Sequence, residues 1–224
     1  LRDSLAFLSL VLLTVALFTI TLFLFGSFTA QREDLAHHWS DLGAQAIQAN
    51  RPEDAIVDLH TALSYAPGKP EYELLLAEAL GEAGRTEESY TYFMGLWETE
   101  PGSGPINLQL ARIAAKRGQR QAAIDSYRAS INGTWEGDGV MRRADVRLEL
   151  ARYLIAQGQL EVARMELIIA GGNVPDTPGF DLTLGNLLEQ AGDRADASRF
   201  YRKALAEKLR DPAALEAMGR LAYR

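Results

Sequence analysis

The sequence contains no cysteine among its 224 residues and only three histidines. Without thiolates the chain cannot form disulfides, iron–sulfur clusters, covalently attached haem or cysteine-based zinc sites. The histidines, His37, His38 and His60, have no carboxylate at a spacing typical of a metal or general-base site. Adjacent residues on a helix do not face the same way, so His37 and His38 cannot share a ligand. We therefore expect ordinary surface histidines and no bound metal.

Motifs of catalysis and nucleotide binding are absent as well. The sequence has no Gly-x-Ser-x-Gly nucleophile elbow, no Walker phosphate loop and no Gly-x-Gly-x-x-Gly turn. Its abundant carboxylates lie mostly at positions typical of solvated helix faces. The sequence therefore predicts neither an enzyme nor a cofactor.

Positive charge is in short supply. The chain has 23 Lys and Arg against 30 Asp and Glu, a net charge of −7. The first thirty residues contain one Arg and one Asp, so the rest of the chain carries this entire surplus. Because nucleic-acid phosphates are bound by clustered Lys and Arg, we expect no nucleic-acid partner.

Charge is missing altogether between Leu5 and Phe25, an apolar run that also lacks Gly and Pro. A helix of this length spans about 30 Å, the thickness of a bilayer's hydrocarbon core. The alternative is a cleaved signal peptide, but its apolar region is usually about 7–15 residues, and Phe28-Thr29-Ala30 is a poor cleavage site. We interpret residues 1–30 as a transmembrane anchor and residues 31–35 as a short joint.

The orientation of this anchor depends on few charges. Arg2 precedes the apolar run and Arg32 follows it, and the amino terminus adds one positive charge on the first side. The flanking segment of a membrane span that carries more positive charge usually stays on the cytoplasmic side. We therefore expect a cytoplasmic N-terminus and a periplasmic or exoplasmic domain after the anchor.

A repeat with a period of about 34 residues runs through the rest of the chain. Turn-forming residues recur at this spacing, with one insertion, at Asn50, Gly84, Gly118, Gly158 and Gly192. Small residues recur in the same register, and bulky ones follow four positions later at Leu59, Phe93, Tyr127, Leu167 and Tyr201. Gly and Asn tolerate positive φ and can end a helix. The period therefore predicts a series of helix pairs.

This pattern resembles the tetratricopeptide repeat, which has W-x2-L-G-x2-Y, then A-x3-F, then P within about 34 residues. The first repeat matches at Trp39, Leu42, Gly43, Ala55, Leu59, Ala62 and Pro67. The resemblance implies an all-α fold in which residues 36–224 form a solenoid of about five and a half helix pairs. The expected repeats are 36–69, 70–103, 104–143, 144–177 and 178–211, with a capping helix at 212–224.

The resemblance also implies a protein-binding groove, because front helices line the concave side of such repeats. The matching positions are Leu74, Glu78, Glu82, Leu108, Arg112, Lys116, Leu148, Arg152, Ile155, Leu182, Asn186 and Glu189. The middle of this set is basic, and its four leucines would form an exposed apolar stripe that is costly to leave in water. The groove is either a docking site for a peptide or helix, or a solvated face with incidental charges.

The insertion at residues 132–143 offers a second candidate contact, because it carries three glycines and Trp135. An aromatic residue on a loop can anchor a partner. The alternative is that Trp135 packs back on the stack in place of the missing Pro.

These features predict a non-catalytic scaffold or accessory subunit of a membrane protein complex. Its expected partners are other membrane subunits, bound through the repeats and the transmembrane helix, and the lipid bilayer. Ser9, Thr14, Thr19 and Thr21 could hydrogen-bond across such helix contacts. The alternative is a membrane-tethered assembly factor or chaperone that binds clients transiently.

Overall fold

In a computed structural model of the protein, residues 2–174, 178–207 and 211–223 are described. Within these residues the chain is all-α, with eleven helices and a single isolated bridge between Ser103 and Thr134. The helices are α1 (Arg2–Gln48), α2 (Pro52–Tyr65), α3 (Pro70–Glu82), α4 (Thr86–Thr99), α5 (Gly104–Lys116), α6 (Arg120–Asn132), α7 (Gly139–Ala156), α8 (Leu160–Asn173), α9 (Pro178–Gln190), α10 (Arg194–Glu207) and α11 (Pro212–Tyr223). Pro175 and the predicted end of the fourth repeat at residue 177 lie outside the described residues.

The chain divides into two compact units, Leu1–Leu96 and Trp97–Arg224. We refer to them as the N-terminal unit and the C-terminal unit. In each unit, the first helix of a repeat is its front helix and the second is its back helix.

The first helix, α1, is much longer than the apolar run that begins it. It continues without interruption from Arg2 to Gln48, so the anchor and the front helix of the first repeat form one element. The expected joint at residues 31–35 does not interrupt α1, because these residues are helical. The physical reason is that residues 27–42 contain neither Gly nor Pro, and nothing in them ends a helix.

Hydroxyl groups in the apolar part of α1 bond to its own backbone. Thr19 Oγ1 donates to the carbonyl oxygen of Ala16 at 2.8 Å, and Thr21 Oγ1 donates to that of Leu17 at 2.8 Å. These side chains thus have partners without a second helix. The expectation that Thr19 and Thr21 bond across helices is not needed to satisfy them.

The predicted turn residues end the front helices. Each of them adopts a positive φ, which only Gly and a few polar residues reach without strain. The φ values are 55° at Asn50, 79° at Gly84, 69° at Gly118, 74° at Gly158 and 81° at Gly192. The repeat period therefore located these turns correctly.

Within each pair, a small front-helix residue meets a large back-helix residue. A Cβ atom at Gly43 would lie 2.6 Å from Leu59 Cγ, and one at Gly185 would lie 2.4 Å from Tyr201 Cε1. Leu59 and Tyr201 are completely buried. The absence of a side chain at Gly43 and Gly185 lets the two helices approach closely enough to cover these residues.

The insertion lengthens α7 at its beginning. Asp138 caps the helix, with its carboxylate accepting from the Met141 backbone N–H at 3.1 Å, so α7 starts at Gly139. The predicted boundary between residues 143 and 144 consequently falls inside this helix.

Candidate protein-binding face

The twelve predicted groove residues are distributed over four front helices, three residues in the N-terminal unit and nine in the C-terminal unit. In the N-terminal unit, Leu74 and Glu78 of α3 are half-buried and Glu82 is exposed. We name the nine others the front face of the C-terminal unit. They are Leu108, Arg112 and Lys116 of α5, Leu148, Arg152 and Ile155 of α7, and Leu182, Asn186 and Glu189 of α9.

The apolar members of this front face are more buried than expected. Leu148 is only 4% exposed and belongs to the core of the unit, so the prediction that it lies on an exposed stripe is wrong. Leu108, Ile155 and Leu182 are half-buried and pack against the same core. The helix α7 packs against α6, α8 and α9, and Leu148 lies in the hydrophobic cluster that residues of these helices form. The front face is therefore a mixed surface, not an apolar stripe.

Arg112 of α5 is bound by Glu149 of α7. Its Nε donates to Glu149 Oε1 at 2.8 Å, and its Nη2 donates to Oε2 at 2.7 Å. The hydroxyl of Tyr127, on α6, donates to the same Oε1 at 2.9 Å. A bidentate pair of this kind fixes geometry as well as contributing energy. The cluster therefore connects the third repeat to the fourth. The guanidinium of Arg112 is already bonded within the fold, so its first role is structural.

The protonation states of this cluster follow from its surroundings. Burial raises the pKa of Glu149, but the hydrogen bond and positive charge of Arg112 outweigh burial and hold that pKa below its ordinary value of 4.5. Burial, followed by the charge of Glu149, raises the pKa of Tyr127 above its usual value of 10. At neutral pH Glu149 is thus ionised and Tyr127 keeps its proton, as their hydrogen bond requires.

A second polar cluster occupies the same register two repeats later. The hydroxyl of Tyr201, on α10, donates to Glu189 Oε2 at 2.8 Å and lies 2.9 Å from Asn186 Oδ1. Arg220 Nη2 of α11 lies 3.7 Å from the same Glu189 oxygen. Burial, together with the hydrogen bond to Glu189, raises the pKa of Tyr201. Asn186 and Glu189 are therefore also engaged within the fold.

From the sequence, Tyr127 and Tyr201 were expected only as bulky core residues, and Glu149 and Arg220 were not identified. A signal was present, because the first, second and fourth repeats carry Leu or Phe at this position and the third and fifth carry Tyr. A buried phenol usually needs a hydrogen-bond partner. Two tyrosines at one repeat position therefore indicate polar partners on neighbouring front helices.

Besides Arg112, which is exposed but paired with Glu149, the front face has two exposed cations, Lys116 in the last turn of α5 and Arg152 on α7. Their charges, beside half-buried Leu108 and Ile155, suit an acidic and partly apolar segment of another protein. The arrangement contains no nucleophile paired with a base. In the described part of the chain, no three His, Asp or Glu side chains converge as a metal site requires.

Trp135 lies against its own repeat. Its indole N–H donates to the Ser130 carbonyl oxygen at 2.9 Å, and a Cβ atom at Gly104 would meet the indole at 2.3 Å. The side chain is half-buried. The structure thus places Trp135 where the alternative interpretation expected it, in the position of the missing Pro, and not as a projecting anchor.

The back helix α8 carries an apolar surface that the sequence analysis missed. Met165, Ile168 and Ile169 are 61%, 42% and 41% exposed, and their spacing puts them on one helix face. At the positions of Met165 and Ile168, the third repeat has Asp125 and Arg128. Comparing the outward positions of the back helices would have identified this exception.

An ion pair and a hollow lie between α7 and α8. Arg147 donates to Glu166, and the two side chains are only 21% and 12% exposed. A hollow of about 220 Å³ opens beside this pair. It is lined by Val140, Arg143, Ala144, Arg147, Ala170 and Asn173.

Comparison with known proteins identifies solved structures that share the fold of this chain. No family model and no curated protein matches this sequence. Among solved structures, PilF of Pseudomonas aeruginosa superposes with a TM-score of 0.65 at 14% identity, over 86% of this chain and 85% of PilF. PilW, a widely conserved type IV pilus biogenesis factor, gives 0.61 at 18% identity, over 84% of this chain and 89% of PilW. YrrB, a TPR protein with an unusual peptide-binding site, gives 0.54 at 15% identity, over 81% and 90%. These neighbours are tetratricopeptide repeat proteins, and at such identities the similarity shows a shared fold.

Proposed function

We propose that this chain, which has the tetratricopeptide-repeat fold, is a non-catalytic membrane-anchored scaffold that binds other proteins. The observation that carries the proposal is the continuity of an apolar α1 with the first repeat of such a fold. Successive front helices of stacked repeats offer an extended surface to a partner. The specific role we propose is that of an accessory subunit in a membrane protein complex.

The anchor is proposed from the surface of α1. Between Leu12 and Phe28 the large apolar side chains of α1 are exposed all round, with Leu12, Phe18 and Phe23 at 67%, 63% and 73%. Such a surface is stable in lipid, and the Thr hydroxyls bonded to their own backbone lower the cost of placing them there. We propose further that the N-terminus is cytoplasmic and that the repeats are periplasmic or exoplasmic.

Protease added to intact spheroplasts tests this orientation. The repeats should be digested while a cytoplasmic marker protein stays intact. Repeats that resist digestion until the cells are lysed would reverse the proposed topology.

For the binding surface, we propose the front face of the C-terminal unit. Lys116 and Arg152 are exposed cations of this face that make no ion pair with Glu149, although the charge of Arg152 helps to lower the pKa of Glu149. The double variant Lys116→Glu/Arg152→Glu, purified from native membranes in mild detergent, should lose its partner, with affinity reduced at least about tenfold. The control is Arg128→Glu, because Arg128 is also an exposed cation but lies on the back helix α6.

A third variant separates the front face from the back helices. Met165→Gln/Ile168→Gln removes the exposed apolar surface of α8 without changing charge. If only this variant loses the partner, the partner binds the back of the fourth repeat and the front-face assignment is wrong. Loss in the Lys116/Arg152 variant alone supports the front face.

A transient assembly factor is the second candidate, favoured by the similarity to a pilus biogenesis factor. The two roles differ in stoichiometry. A subunit should remain with its complex in fixed ratio through purification, whereas an assembly factor should be found on precursors and be missing from the mature complex. Quantitative mass spectrometry of the purified complex and of its precursors measures this difference.

A further inference from the structure

The N-terminal unit begins to pack on α1 very close to the end of the apolar run. That run ends at Phe25, and Arg32 Nη2 already donates to the Ser64 carbonyl oxygen at 2.9 Å. The next residue, Glu33, lies 3.6 Å from Lys69 Nζ through its Oε1. Between Phe25 and Arg32 the helix rises by only about 10 Å.

No flexible segment separates the apolar run from these contacts. Residues 26–31 are helical, and the buried residues further along α1 lie in the same two clusters as residues of α2 and α3. The guanidinium of Arg32 lies 6.0 Å from the ring centre of Phe28, one turn earlier. A helix bends sharply only at Pro, at Gly/Ser pairs or where a group enters its hydrogen-bond ladder. Gly26-Ser27 is such a pair, but α1 continues through it without interruption, and residues on both sides of it are helical.

The antiparallel arrangement gives this unit a near end and a far end. The end of α2 lies beside Arg32, whereas its beginning at Ala55 clusters with Ala46 near the end of α1. The start of α3 is also at the near end, because the Tyr72 hydroxyl lies 3.1 Å from His37 Nδ1. The turn at residues 66–69 is therefore near the anchor. The far end, at Gln48, lies about 24 Å further along α1.

We propose that this near end lies within the lipid headgroup layer, so that the turn at residues 66–69 and the start of α3 are among the headgroups. The proposal rests on the membrane anchor proposed above. Phe25 and Phe28 are 66% and 60% exposed, and such apolar rings suit the edge of the hydrocarbon layer. Arg32 and Lys69 place cations at the level of the lipid phosphates.

The continuous helix α1, and not attraction to anionic lipids, determines the position of the near end at the membrane. Lys69 is paired with Glu33, and Asp34 and Glu71 are exposed at the same end, so the near end has no surplus of positive charge. Attraction to anionic lipid requires such a surplus. The first repeat pair is therefore held at a fixed height because α1 is one rod from the bilayer to Gln48.

Absence of cysteine allows a direct test with single labels. The full-length variants Ser64→Cys at the near end and Gln48→Cys at the far end are both exposed positions. Each is labelled with a fluorophore and reconstituted into phosphatidylcholine vesicles that contain a nitroxide-headgroup lipid. The label at residue 64 should be quenched several-fold more than the label at residue 48. Replacing part of the phosphatidylcholine by phosphatidylglycerol should leave this ratio unchanged.

A matched control interrupts the rod. Inserting Gly-Gly-Ser-Gly-Gly after Ala30 in each labelled variant should reduce the difference between the two labels. Equal quenching of the two labels without the insertion overturns the proposed position of the near end while the anchor stands. A quenching ratio that the insertion leaves intact overturns the continuous helix as the cause of that position. A chain that fails to float with the vesicles overturns the anchor, and the proposed position with it.

Discussion

The two units share one repeat pattern but differ sharply in charge. The N-terminal unit has five basic and thirteen acidic residues, a net charge of −8, whereas the C-terminal unit has eighteen and seventeen, a net charge of +1. The net charge of −7 therefore conceals one strongly acidic unit joined to one nearly neutral unit. A strongly acidic surface repels acidic partners, which leaves the C-terminal unit as the better surface for them.

Ion pairs follow the same division. In the N-terminal unit, Arg51–Asp54, Lys69–Glu33 and Arg85–Glu88 all lie on the surface, where such pairs contribute little. In the C-terminal unit, Glu149, Glu166 and Glu189 are partly buried and form ion pairs with Arg side chains from other helices. Polar clusters between helices need cations, and the acidic unit has few of them. Two units with the same repeat pattern can thus be stabilised by different interactions, one by surface ion pairs and the other by partly buried ion pairs between helices.

The largest effects should come from core positions that both units share. Leu59→Ala and Tyr201→Ala each remove a completely buried side chain and should cost about 2–5 kcal/mol. Hydrogen exchange followed by mass spectrometry should localise each loss to the unit that carries the change. Val57→Ala, at an exposed position on the same helix as Leu59, is the control. Unchanged stability of Tyr201→Ala would show that the repeat register is wrong.

Breaking a buried ion pair should affect only the C-terminal unit. Glu166→Ala leaves Arg147 without its carboxylate and should cost about 3 kcal/mol, whereas Arg147→Met/Glu166→Leu should recover most of that loss. Removing Arg85 from its exposed pair in the N-terminal unit should have no measurable effect. Chemical denaturation compares the four proteins. Equal losses for Glu166→Ala and Arg85→Ala would contradict the difference between the units.

Close helix approach should matter equally in both units. Gly43→Ala and Gly185→Ala push a Cβ atom into Leu59 and Tyr201, and each should cost about 1–3 kcal/mol. Gly95→Ala in α4 meets no atom within 4 Å and should stabilise the chain by about 0.5–1 kcal/mol. Thermal melts would measure the three changes. A neutral Gly43→Ala would mean that α1 and α2 are less tightly packed than the corresponding C-terminal pair.

The smallest effect concerns acid sensitivity. Because the pKa of Glu149 is lowered in the folded chain, its ionised form stabilises the C-terminal unit fully above pH 4.5, and this contribution disappears as the pH falls below 4.5. Glu149→Gln should therefore be less stable than the parent at neutral pH and flatten the acid part of its stability curve. Curves that stay parallel from neutral to acid pH would show that the Arg112 pair does not depend on this charge.

Sequence spacing predicted the parts of the fold that each repeat determines alone. The positive-φ turns at Asn50 and the four glycines, and buried residues such as Leu59, follow from a local pattern that recurs. The joint at residues 31–35 was predicted from domain organisation, although no residue there breaks a helix. Contacts between repeats, such as Arg112 with Glu149, depend on packing across the insertion, which spacing alone does not determine. For the same reason the burial of Leu148 was missed.

The central claim is that a partner binds the front face of the C-terminal unit. Cross-linking of native membranes tests this claim most directly. The chain has only four lysines, at residues 69, 116, 203 and 208. Lys116 belongs to the front face, Lys203 to the back helix α10, and Lys69 to the near end of the N-terminal unit. With an amine-reactive cross-linker, we predict that peptides of the partner are joined to Lys116. Partner peptides joined to Lys203 or Lys69, with none at Lys116, would contradict the account.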